Sequence, residues 1–130
     1  MTHTKFHRIP IYDHRLWIGV ADNIDDLHKK FEWAFGKNEG GQIACLAFHR
    51  SKFGLFFERK ELCHDVIAHE VWHATNRMME QIGHYVSGGP NEPHTFLCGY
   101  LTGLVYQDLA AWKMPVKLSY RKTPVRFVRE

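Results

Sequence analysis

In the segment Asp65-Val-Ile-Ala-His69-Glu70-Val-Trp-His73-Ala74, two histidines stand four residues apart with a glutamate beside the first. On a helix such positions lie about 40° apart around the axis and about 6 Å apart along it, so both imidazoles can reach one ion. Zinc suits two imidazoles and a carboxylate, and it lowers the pKa of a bound water toward neutrality. The spacing therefore points to His69 and His73 as zinc ligands and to Glu70 as the general base that takes a proton from the attacking water. The flanking residues Ile67, Ala68, Val71, Trp72 and Ala74 are uncharged, as a helix lodged in an active site requires. The bland alternative is a pair of surface histidines one turn apart.

A catalytic zinc keeps three protein ligands and one open position, so a third donor is needed. Glu92 is the leading candidate: it follows a Ser87-Gly88-Gly89-Pro90 loop and opens a second helix, where the helix dipole favours the anionic form that binds metal. A glutamate in a first helical turn also serves capping alone. His84 and His94 are the rivals, one just past the end of the first long helix and the other two residues beyond Glu92. Ten histidines in 130 residues is high usage, and His3, His7, His14 and His28, set among polar residues, read as solvated.

The elements that must position these groups are legible as periodicities. Arg8–Tyr12 and Arg15–Val20 read as short strands around an Asp13-His14 turn. Asp22 or Asn23 caps a helix running to about Phe35, with Gly36 as its stop and a loop over 38–41. Gln42–Phe48 and Phe53–Glu58 read as a hairpin. A long helix from about Glu61 to Ile82 places Val66, Ile67, Val71, Ala74 and Met78 at three- and four-residue steps, with Gly83 ending it. Asn91 caps the next helix, Pro93 is tolerated in its first turn, and it stops before Pro115. The order predicts an α+β fold with a small, mostly antiparallel sheet.

At 130 residues the chain fits one domain, read as 1–113 with a basic tail over 114–130. The net charge of +3 is uneven. Lys113, Lys117, Arg121, Lys122, Arg126 and Arg129 face only Glu130 in the last eighteen residues, which could attract nucleic acid or an acidic partner. The alternative is a solubilising tail or a last strand. No apolar run reaches the roughly 18 residues of a membrane span, so no membrane partner is expected. Residues 1–10 lack the apolar stretch of a secretory signal. Cys45, Cys63 and Cys98 are odd in number and widely spaced, which suits reduced core thiols and a cytoplasmic setting.

His-Glu-Val-Trp-His at 69–73, followed by Asn91-Glu92-Pro93, resembles the gluzincin branch of the zinc metallopeptidases, and the short chain resembles its minimal members. Asn91-Glu92-Pro93-His94 leading into Leu97-Cys-Gly-Tyr-Leu101 is also similar to small phage-encoded zincin-like proteins, which would place the chain in a host cytoplasm. The resemblance spans roughly residues 40–112 and is specific at the motif positions. It implies zinc on His69, His73 and Glu92, Glu70 as general base, and a protein or peptide substrate paired to an edge strand, here Gln42–Phe48 or Phe53–Glu58. Many gluzincins carry an acid four residues after the ligand glutamate, where this chain has Phe96, so the carboxylate expected behind His69 is Asp65. No downstream segment supplies an oxyanion-stabilising group, and His94 and Tyr100 are the foremost candidates, with Tyr85 and Tyr106 behind them. Two other readings stand beside the peptidase. One is a silent zincin-fold protein that binds a host factor. The other resembles Spartan-like proteases, with His84 as third ligand and the basic tail on DNA.

Overall fold

Among the described residues the sheet has four strands: β1 (Thr2–Ile9), β2 (His14–Ala21), β3 (Ala44–His49) and β4 (Lys52–Glu58). The computed structural model describes residues 1–10, 13–34, 44–89 and 91–118. The expected helix end at Phe35 and Gly36, the 38–41 loop, the first residues of the Gln42–Phe48 run and residues 119–130 of the basic tail lie outside them. The strand order is β1-β2-β4-β3. The β1–β2 and β3–β4 pairs are antiparallel, while β2 and β4 run parallel, so the sheet is mixed. The α+β class stands.

Alternation along the strands sorts the core into two faces. Leu16, Ile18 and Val20 of β2 and Phe53, Leu55 and Phe57 of β4 join one cluster with the two long helices, α2 (His64–Gln81) and α3 (Glu92–Ala111). On the opposite face, Ala21 and Phe56 pack with Ile24, Leu27 and Phe31 of α1 (Ile24–Lys30) and its sequel. The sheet is therefore a middle layer, with α1 on one side and the α2–α3 pair on the other. Within the described residues, no helix is long and apolar enough to cross a membrane.

Local chemistry explains most boundaries. Asn23 caps α1 by accepting the Asp25 N–H at 2.9 Å. The helix stops at Lys30 and a 3-10 turn occupies Glu32–Ala34, short of the continuous helix expected. Phe31 leaves helical geometry there and stacks on Phe56, with ring centroids 5.0 Å apart. α2 starts three residues later than the periodicity predicts. Leu62 and His64 exchange main-chain hydrogen bonds with Lys117, at 3.1 and 3.0 Å, which holds 62–63 extended.

Both long helices end alike. At α2 the Gly83 N–H bonds to Glu80 O and the His84 N–H to Met79 O, with Gly83 at φ +83°, the left-handed position that glycine adopts freely. At α3 Lys113 and Met114 repeat the pattern on Ala110 and Leu109, but Lys113 carries φ +54° with a full side chain. A non-glycine residue there costs about 1 kcal/mol. Lys113→Gly is expected to raise the melting temperature by about 3–5 °C, and a thermal melt showing no gain would contradict this account.

The first four histidines are not solvated as their polar neighbours suggest. His7 Nε2 lies 2.7 Å from Asp108 Oδ2, with side chains 14% and 7% exposed. His14 is buried edge-on against Phe53. Burial lowers its pKa, against the raising effects of a Gln81 hydrogen bond and Asp13. His3 stacks on Trp112, and the His28 side chain is 17% exposed. Beta strand and helix bring polar-flanked positions inside because their neighbours in space, not in sequence, decide burial.

Candidate metal centre

α2 turns Ile67, Val71, Ala74, Thr75, Met78 and Met79 into the core. Helical spacing then puts His69 and His73 on the opposite, exposed face. Their Nε2 atoms stand 3.0 Å apart, and the rings meet at 79° with centroids 4.6 Å apart. Two imidazole nitrogens bound to one tetrahedral zinc at the usual bond length would lie about 3.3 Å apart. As donors, and in separation, the pair fits a zinc ion. Glu70 is half-buried on the flank between this face and the core. Its carboxylate makes no hydrogen bond or ion pair with another described residue.

The start of α2 is fixed by a separate cluster. Asp65 Oδ1 accepts the Val66 N–H at 3.0 Å and the Cys63 thiol at 2.7 Å. Burial, then the hydrogen bond to Asp65, pushes the Cys63 thiol pKa up, so it stays a donor. Asp65 thus closes the first turn, one turn short of the expected place behind His69. His64 Nδ1 meets the Tyr106 hydroxyl at 2.5 Å, and burial, aided by the nearby Cys63, raises the tyrosine's pKa. That contact sets Tyr106 of α3 opposite the first residue of α2.

It gives a reference level for the other residues of α3, which packs on α2 through Leu97, Leu101, Val105 and Leu109. Counted from that contact, nine residues along α2 reach His73, and nine residues back along an antiparallel α3 arrive at Leu97. Glu92 lies five residues further on, about 7.5 Å along the axis. It is exposed at the first position of α3. His84 bonds its N–H to Met79 O, so its backbone sits about two turns past His73. Among the described residues, no three His, Cys, Asp or Glu side chains converge as a metal-binding group. His69 and His73 are brought together; Glu92, His84 and His94 are not brought to them.

No known family profile, curated protein or solved structure matches the chain.

The oxyanion candidates are spread out. His94 is buried, with Nε2 shut from solvent and without a described partner. Tyr100 is on the outer face of α3, Tyr106 is engaged by His64, and Tyr85 stands in water beyond α2. Sequence reasoning overlooked what lies next to His73. An open depression of about 460 Å³ beside His73 is lined by Trp72, Asn76, Arg77, Glu80, Tyr85 and Val86. Its signal was available: Trp72 and Asn76 share the outer face of α2 with His73 by helical spacing. The buried His7–Asp108 pair had none, because its partners are 101 residues apart.

Proposed function

We propose that the chain is a zinc-dependent peptidase whose ion is held by His69 and His73. The 3.0 Å approach of their Nε2 atoms carries the proposal. Glu92 is nominated as the third ligand, and the start of α3 would have to move toward His73 for its carboxylate to bind. Zinc, when bound, supplies Lewis acidity that acidifies water and polarises a carbonyl. Glu70 would accept the proton that water loses on attacking the carbonyl carbon. It would return that proton to the nitrogen as the C–N bond breaks. β3 supports the substrate side of this reading. It is the last strand of the described sheet beside α2, with its outer main-chain edge facing away from β4. An extended peptide can add there by main-chain hydrogen bonds.

Elemental analysis tests the ligand set. The wild-type chain is expected to hold one zinc after reconstitution and dialysis. His73→Ala should lose it, and Glu92→Ala should bind at least about tenfold more weakly. A wild-type chain that retains no zinc would end the proposal, and a Glu92→Ala chain with unchanged affinity would move the third ligand elsewhere.

A further inference from the structure

The face of the sheet turned away from α2 and α3 carries a row of cations beside a row of aromatic rings. We propose that this face binds single-stranded nucleic acid, with phosphates along Arg8, Arg15 and Lys52 and a base stacked on Phe6. Strand register builds the first row: Arg8 is opposite Arg15, and Arg15 is level with Lys52. Adjacent strands lie about 4.8 Å apart, so the three charges are immediate neighbours. Like charges set side by side on a sheet repel, and none of the three forms an ion pair with another described residue. Along β1, β2 and β4 this face carries one acid, Glu58, three register steps away and held by Lys60 at 3.2 Å. An anionic chain laid along the row removes the repulsion.

The second row lies one step further along the same strands. Phe6 faces Trp17 with ring centroids 4.9 Å apart, and Trp33 sits 5.4 Å from Trp17. Lys52 Nζ stands 5.7 Å from the centre of the Trp33 ring, which ties the two rows together. α1 covers the other end of this face, where Ile24, Leu27 and Phe31 pack with Ala21 and Phe56. Phe6 is left 44% exposed on a strand whose other residues on this face are Thr2, Thr4 and Arg8.

A single strand matches both rows at once. Its phosphates are anions at regular intervals, and each base offers a π-face to an aromatic side chain. A duplex keeps its bases stacked on one another, out of reach of a ring on a sheet surface. An acidic peptide would neutralise the arginines and leave Phe6 without a stacking partner.

The test is fluorescence anisotropy of the full chain with a labelled oligothymidylate of about 12 nucleotides, titrated at several salt concentrations. The basic tail is a separate source of attraction for phosphates, so the variants must carry the result. Phe6→Ala, a change at an exposed position, is expected to weaken binding at least about fivefold and leave the salt dependence unchanged. Phe6→Tyr should restore the affinity. Arg8→Gln and Arg15→Gln should each lower the slope of log affinity against log salt by about 0.7. A duplex of the same length should bind Phe6→Ala and the wild type equally. Oligothymidylate affinity unchanged in Phe6→Ala, or a slope unchanged in both arginine variants, would leave the tail as the binder and overturn the assignment. Displacement of the oligonucleotide by equimolar oligoglutamate would give the face to an acidic protein and overturn it too.

Discussion

Glu70→Gln is expected to retain one zinc per chain, melt at the wild-type temperature and lose about 10³-fold in kcat for peptide hydrolysis. The substitution preserves shape and replaces the basic oxygen with an amide that cannot carry a proton. General-base catalysis by a positioned carboxylate contributes about 10²–10⁴-fold, which sets the size of the loss. Because Glu70 makes no hydrogen bond or ion pair with a described residue, stability should change by less than about 0.5 kcal/mol. Its neighbours His69 and His73 hold their own approach, so zinc retention should not depend on it. The loss should appear in kcat and in kcat/KM together, as for a group that acts in the transition state. The decisive measurement is turnover and zinc content on one preparation. A zinc-loaded Glu70→Gln chain that cleaves at the wild-type rate would remove Glu70 from the chemistry.

The parts of the fold set by local chemistry were open to reading, and those set by distant partners were not. α2 announced itself through Ile67, Val71, Ala74 and Met78, and its end through Gly83. The same spacing that buried this face placed His69 and His73 together on the other. Its start is not legible from periodicity, because Lys117, 53 positions after His64 in sequence, holds the preceding residues extended. β1 was seen only at its end. Thr2–Ile9 carries just Phe6 and Ile9 as large apolar residues, and the inward places a strand would fill with aliphatics hold His3 and His7. Asn91 was correctly placed before α3, yet its side chain bonds to the Ser87–Gly89 loop and makes no cap hydrogen bond to the helix. Glu92 shows the limit most clearly. Spacing in sequence names a carboxylate at a helix start, but its height beside His73 depends on how α2 and α3 register, which their shared apolar packing decides.

The same dependence on distant contacts makes His7→Ala a damaging change outside the candidate centre. Asp108 lies on the inner face of α3 with its side chain 7% exposed, and His7 of β1 is its hydrogen-bond partner at 2.7 Å. Removing the imidazole takes the hydrogen-bond partner from a carboxylate on the same buried face as Val105 and Leu109. Stranding one member of a buried pair costs about 3 kcal/mol or more. For a chain of this length that lowers the melting temperature by about 10 °C. Removing both polar groups should hurt less than removing the histidine alone, because the penalty comes from the unpaired carboxylate. His7→Leu with Asp108→Leu is therefore expected to recover at least half of the loss, by chemical denaturation at neutral pH. A His7→Ala chain within about 1 kcal/mol of wild type, or a double variant as unstable as the sum of its parts, would show that the pair does not hold β1 to α3. The pair anchors the late half of α3 to the sheet edge, while the His64–Tyr106 contact registers the same helix against α2.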